Sequence, residues 1–237
     1  LAIDRVRYVG DPVVAVAATS EREAQHARDL IKVEYEELPA VTDMRLALSD
    51  DAPLVHPDMH QYERGGHEIV PHTNINTLYR YERGDVEGAF AEADLVVEGE
   101  YSAHALSHVA LEVHVAVAQY DEMSGNYTLW VSTDRPFFLR DDLAGGLGVD
   151  GSKVRLKVAQ VGGSFGAKGV PIAEAIASVL ARKTNGRPVK VELTREECLI
   201  ASQLRVPAIM RLKTGVTKDG FMIARSADVL WDSGAYT

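Results

Sequence analysis

Ten consecutive residues, Gln160-Val161-Gly162-Gly163-Ser164-Phe165-Gly166-Ala167-Lys168-Gly169, carry the clearest chemical potential in this chain. A β-prone apolar run from Val154 to Val161 stops at glycines, and an Ala-rich apolar stretch follows. Glycine has no Cβ, so backbone there can take φ > 0 or come close to a ligand. A glycine turn between a strand and a helix leaves unpaired N–H groups that favour anions such as phosphate. The same residues also suit a plain tight turn with no ligand. A phosphate P-loop needs Gly-Lys-Ser/Thr, whereas Ala167 precedes Lys168 and Gly169 follows it. The dinucleotide fingerprint G-x-G-x-x-G lacks its first tight pair, since the glycines fall at 162, 163, 166 and 169.

Asp134 follows the apolar segment Trp130-Val131-Ser132 and precedes a helix candidate opening near Pro136. Carboxylates at strand ends recur in the active sites of open sheets, and aspartate is also a good helix N-cap. His104, His108, Glu112 and His114 share one face of a strand, but His104 and His114 would then lie roughly 30 Å apart or more, too far for one metal ion. His56, His60, His67 and His72 fall in a segment read as a solvated connection. No metal-ligand set is assigned. No Ser-His-Asp set has a local signature, so a serine hydrolase is not the favoured reading.

The elements that must position these groups read as mixed α/β. Val13 to Ala18 and the alternating Lys32 to Glu36 read as strands around a helix capped by Ser20 and Glu23. A short helix is expected at Asp43 to Leu48. Residues from about 49 to 77 are rich in Asp, Pro, His, Gly and Asn and read as a connection. Beyond it come a helix opening at Gly84-Asp85, strands at 95–101, 109–120 and 127–132, and a helix from Pro136 to Leu147 ended by Gly148. A strand at 153–161, a helix at 170–183, a strand at 189–193, a helix at 195–201 and a hairpin around Lys218-Asp219-Gly220 follow.

The chain has 237 residues, 46% of them hydrophobic and 25% charged, as in ordinary globular proteins. Its net charge of -10 and the lack of a basic tract argue against nucleic-acid binding. The one cysteine, Cys198, excludes an internal disulfide and any cysteine-ligated cluster built from this chain alone, and it reads as a buried core residue. No apolar run approaches membrane-spanning length. The chain opens at Leu1 in mid-pattern and stops at Thr237 without a closing element, which reads as a piece of a longer polypeptide.

Three separated segments resemble the molybdenum hydroxylase family, the molybdopterin-binding large subunits of the xanthine dehydrogenase, aldehyde oxidase and carbon monoxide dehydrogenase types. They are Val6-Arg7-Tyr8-Val9-Gly10-Asp11-Pro12-Val13 together with Val33 to Val41, His108-Val109-Ala110-Leu111-Glu112-Val113-His114, and Val161 to Lys168. The resemblance implies an α+β chain: a partial hammerhead α/β domain (1–55), a linker (56–80) and the first part of a molybdopterin-binding domain (81–237). It implies oxidation of an aldehyde or N-heteroaromatic with oxygen from water, with electrons leaving through iron–sulfur clusters. The implied cofactor is molybdenum–molybdopterin in its cytosine dinucleotide form. The implied partners are a [2Fe-2S] small subunit and an FAD medium subunit, in a cytoplasmic dimer of heterotrimers.

Residue by residue, the resemblance makes Gly162, Gly163, Ser164, Phe165 and Gly166 cofactor contacts, with Phe165 also a wall of the substrate funnel and Asp134 beside the metal. Asp134 stands where the family has Gln, and an ionised carboxylate offers no N–H. Ser164 replaces a glycine, and Gly169 stands where the purine-oxidising branch has a substrate-binding Glu. The family's catalytic glutamate comes from a far C-terminal segment that this chain does not contain, so the chain alone is expected to be inactive. The departures at Asp134 and Ser164 keep a second reading open, a non-catalytic scaffold or assembly subunit.

Overall fold

The computed structural model describes residues 1–62 and 70–236; His67 lies outside them. In chain order the regular elements are α1 (Glu21–Asp29), α2 (Val86–Ala91), β1 (Leu95–Ala103), β2 (Val115–Asp121), β3 (Asn126–Val131), α3 (Pro136–Leu147) and β4 (Val154–Val158). They continue with α4 (Ala173–Ala181), β5 (Val189–Glu192), α5 (Arg195–Ala201), β6 (Ala208–Val216) and β7 (Met222–Trp231). The chain divides into two compact units: residues 1–34 with 106–205, and residues 35–105 with 206–237.

The first unit is built on a four-stranded sheet of order β4-β3-β2-β5. β2 runs antiparallel to β3 and β5, and β3 runs parallel to β4, with α3 in the crossover. In β3 Tyr127, Leu129 and Val131 are buried and alternate with more exposed neighbours, while in β2 Ala116 and Ala118 are buried. The same period of two puts each set on one face of the sheet. α4 presents Ala173, Ala177 and Ala181, four residues apart and fully buried, so small side chains let the helix lie close on the sheet. Leu139 and Leu143 of α3 complete the core. Burying each such leucine is worth about 1.5–3 kcal/mol.

Local chemistry sets the helix ends. Pro136 opens α3, where a missing N–H costs nothing, and Gly148 closes it in the left-handed region (φ 67°). Thr194 and Glu197 form a reciprocal capping box on α5. Ser20 caps α1 through Glu23 N–H. Gly10, at φ 108°, lies against α5 so tightly that a Cβ would sit 2.3 Å from the Ile200 carbonyl oxygen.

The second unit is a three-stranded antiparallel sheet, β1-β6-β7, with β6 and β7 joined by the hairpin at Lys218-Asp219-Gly220. α2, capped by Asp85, packs on one end of it, with Phe90 and Ala93 against Gly215. In the segment before it, His56 Nε2 faces the Ala235 carbonyl at 2.5 Å and Nδ1 faces Tyr62 Oη at 3.0 Å. Since a carbonyl only accepts, Nε2 carries the hydrogen and, in the neutral ring, Nδ1 accepts from Tyr62.

Several expected elements differ. Residues 13–18 and 32–36 have no ladder partners among the described residues, and the expected helix at 43–48 is a single 3-10 turn at Leu46–Leu48. The strand expected from Val109 begins at Val115, because Val109 sits at φ 45° and interrupts an extended run. The helix expected from Val170 begins at Ala173, separated from the glycine turn by the 3-10 turn Ala167–Gly169 and Pro171. The glycine turn is therefore not the N-terminus of α4, and its N–H groups act as loop donors.

Candidate functional site

The parallel strands β3 and β4 end side by side, and the Ala159 N–H donates to the Val131 carbonyl at 3.2 Å. β3 thus delivers Ser132, Thr133 and Asp134, and β4 delivers the glycine turn, to the same sheet edge. Ligands of α/β sheets favour the carboxyl ends of strands for this reason. The irregular 106–114 segment brings Glu112 to the same place.

A single carboxylate oxygen organises the site. Glu112 Oε2 accepts from Ser132 Oγ, from the Gly162 N–H at 3.0 Å and from the Lys168 ammonium. The Glu112 N–H in turn donates to the Gly162 carbonyl at 3.2 Å. Gly162 admits no side chain here, since a Cβ would lie 2.6 Å from Glu112 Cβ. Lys168 also donates to Ser132 Oγ at 3.2 Å, and its side chain is only 2% exposed. Its carbonyl accepts from Thr133 Oγ1 at 2.8 Å.

The electrostatics follow from this packing. Burial works to raise the Glu112 pKa, but the hydrogen bonds from Lys168, Ser132 and Gly162, with the lysine's charge, outweigh it and hold the carboxyl below its ordinary range. His114 is buried, and burial first and the Lys168 charge second push its pKa down, which favours the neutral ring. Behind the turn lies a cavity of about 20 Å³ whose lining includes His108, Glu112, His114, Lys168, Cys198 and Ser202. His108 Nδ1 is buried without a hydrogen-bond partner among the described residues.

The turn itself projects outward. Gly163 (φ 103°), Phe165 (φ 57°) and Gly166 (φ 101°) all have positive φ. Among the described residues, no hydrogen bond engages the backbone N–H of Gly163, Ser164, Phe165 or Gly166. Consecutive free N–H groups in such mixed-hand backbone form a concave anion-binding nest. The Phe165 ring is 74% exposed. These features fit a bulky polar group bearing phosphate that approaches the backbone closely.

Ser164 is buried, and its Oγ accepts from the Lys168 N–H at 3.3 Å. Contrary to the reading that no local serine-hydrolase signature exists, the run 162–166 does have the G-x-S-x-G spacing of a hydrolase nucleophile turn. No histidine hydrogen-bonds Ser164 among the described residues, and its hydroxyl is already held, so that chemistry is not assembled. Asp134 is exposed and does not cap α3: the N-cap is Arg135, whose N–H is taken by Thr133 Oγ1 at 3.1 Å. Gly169 lies against Arg135, and a Cβ there would be 3.3 Å from Arg135 Cδ.

Asp134 and the glycine turn stand out in the sequence, and the structure brings Ser132-Thr133-Asp134 and the turn to one edge. The Glu112–Lys168 pair does not stand out. The available signal is a lysine inside the apolar run Ala167 to Ile172, whose charge demands a buried partner, but nothing local names that partner.

Residues 66–237 match the molybdopterin cofactor-binding domain family, and residues 1–39 match the a/b hammerhead domain of aldehyde oxidase and xanthine dehydrogenase. The chain belongs to this molybdopterin-binding family of oxidoreductase subunits, as the resemblance of three separated segments implied. Its relatives include the nicotinate dehydrogenase large molybdopterin subunit of Eubacterium barkeri, 39% identical over 233 residues that cover 98% of this chain and 51% of that protein. They also include the xanthine dehydrogenase molybdenum-binding subunit of Escherichia coli O157:H7, 33% identical over 231 residues, 98% of this chain and 29% of that one. The aldehyde oxidoreductase of Desulfovibrio gigas superposes with a TM-score of 0.75 at 28% identity, over 91% of this chain and 22% of that one. The chain therefore spans about half of the nicotinate dehydrogenase subunit's length and less than a third of the xanthine dehydrogenase subunit's.

Proposed function

We propose that this chain is the cofactor-cradling part of a molybdenum hydroxylase that oxidises an aldehyde or N-heteroaromatic substrate with oxygen from water and passes the electrons to iron–sulfur clusters. The observation that carries this reading is the turn 163–166, with four N–H donors unbonded among the described residues and an exposed Phe165. The cofactor, molybdenum–molybdopterin in its cytosine dinucleotide form, supplies the redox and oxygen-transfer chemistry when bound. Gly162 holds the entry to the turn, and the N–H groups of Gly163, Ser164, Phe165 and Gly166 donate to its polar atoms. The Phe165 ring walls the substrate approach, and Asp134 stands at the same sheet edge, beside the metal. Hammerhead residues 1–55, a linker at 56–80 and cofactor-domain residues 81–237 form the proposed division. Relatives named as subunits support membership in a multi-subunit complex; the proposed partners are an iron–sulfur small subunit and an FAD medium subunit, in a cytoplasmic dimer of heterotrimers.

Asp134, in place of the family's Gln, favours a second reading, a scaffold relative that has lost its metal. The discriminating measurement is molybdenum and released CMP per mole in the full-length protein purified with its native partners. Near-stoichiometric amounts of both are expected, with Asp134→Gln retaining or raising turnover. Absence of both, from a host that loads a related enzyme, would establish the scaffold reading instead.

A further inference from the structure

The turn from Gly163 to Gly166 holds an unfavourable conformation, and its two ends are tied to one side chain. Phe165 lies in the left-handed region between two positive-φ glycines. A bulky residue persists there only where its surroundings over-determine the backbone. Those surroundings are identifiable. At the entry, both backbone groups of Gly162 are gripped by Glu112, the N–H by Oε2 and the carbonyl by the Glu112 N–H. At the exit, the Lys168 side chain reaches back to the same Oε2 and to Ser132 Oγ. The Lys168 backbone is held as well, its N–H on Ser164 Oγ and its carbonyl on Thr133 Oγ1. Three chain segments, the 106–114 run, the end of β3 and the glycine turn, thus converge on one oxygen.

We infer that Glu112 and Lys168 are positioning residues, a charge-neutral strut that pins both ends of the glycine turn and holds its unbonded N–H groups and the exposed Phe165 ring in place before any ligand arrives. The inference rests on the reading that this turn faces the cofactor, and it adds how the turn is made ready. The strut needs both charges. Lys168 is nearly inaccessible to water, so neutralising Glu112 strands a buried ammonium, and removing Lys168 leaves the carboxylate without its counter-ion. Arginine at 168 keeps a charge and several donors, whereas methionine keeps only the bulk.

The test is amide hydrogen exchange on the full-length protein with its native partners, read together with molybdenum and CMP content. In Glu112→Gln and Lys168→Met, exchange at Gly162, Ala167 and Lys168, whose N–H groups are bonded in the native turn, is expected to rise by about tenfold or more, while β2 and β3 change by less than about twofold. Cofactor content should fall in parallel, and Lys168→Arg should recover much of both. Turn exchange that stays at the native rate in both variants would overturn the proposal. So would a rise spread equally over β2 and β3, which is the mark of a pair that merely stabilises the unit. Should neither variant fold, Ser132→Ala, which keeps both charges and loses one tie, must still quicken exchange in the turn; no change there is equally fatal. Native protein devoid of molybdenum would instead sink the cofactor reading and leave the exchange result standing.

Discussion

Glu174 illustrates how much a single buried group decides. It lies in the first turn of α4 and is buried, and its Oε2 accepts from the Ile172 N–H at 3.2 Å. Burial raises its pKa, and the backbone donors and the Lys168 charge offset this only in part. A carboxyl whose folded pKa exceeds its unfolded value loses its proton first in the unfolded chain. Stability therefore falls as pH rises from about 4.3 through the folded pKa, and the deficit persists above it. Glu174→Gln keeps an acceptor for Ile172 and carries no charge. Its melting temperature should exceed that of the native protein near pH 8 and equal it near pH 4, where both side chains are neutral. A lower melting temperature at pH 8 would show that the ionised carboxylate is favourable where it stands. His114 has the opposite sense: held neutral by burial and by Lys168, it adds stability above about pH 6.5 that is lost as pH falls through its depressed folded value.

At the scale of elements, helix ends were legible and strand partners were not. Ser20, Asp85, Gly148 and Thr194 each mark a boundary by chemistry confined to a few neighbours, and α5 occupies Arg195–Ala201 as expected. The apolar run at 13–18 and the alternation at 32–36 are real in the sequence, yet they report only which residues are apolar; whether a ladder forms depends on a partner strand far along the chain. The site divides in the same way. The glycine turn is local and visible in the letters, while Glu112 and Lys168 are 56 positions apart and meet only through the fold. Gly148 gives a clean test of the local kind. Its φ of 67° belongs to the left-handed region, and a Cβ there meets nothing within 4 Å. The cost of Gly148→Ala is then conformational alone, about 1 kcal/mol, with Gly148→Asn costing less. Urea midpoints would measure it, and an alanine variant as stable as the native protein would contradict the capping account.

On the scale of the whole molecule, charge and exposed apolar surface oppose each other. The chain carries 35 acidic and 25 basic residues, a net charge of -10, and its isoelectric point is about 5.3. Near neutral pH this charge repels other copies of the chain. The second unit holds the liability. Leu95, Val97 and Tyr101 alternate onto one face of β1, and the ladder aligns Met210 with Tyr101 and with Val229, and Ala208 with Trp231. Leu95, Val97, Tyr101, Val229 and Trp231 are all exposed, so this face offers a contiguous apolar surface. The opposite face carries Glu100 paired with Arg45 and Arg211, which keeps that side hydrated. Self-association of the isolated chain should therefore peak near pH 5.3, where repulsion vanishes, and should come from the apolar face. Light scattering at low salt between about pH 4 and 8 reads the first point, and Val97→Lys or Tyr101→Lys, which place a charge on that face, reads the second. Each substitution should suppress the scattering maximum by more than the small shift it makes in isoelectric point. Scattering that follows the isoelectric point alone, at full height in both variants, would assign the association to charge neutrality and acquit the sheet face.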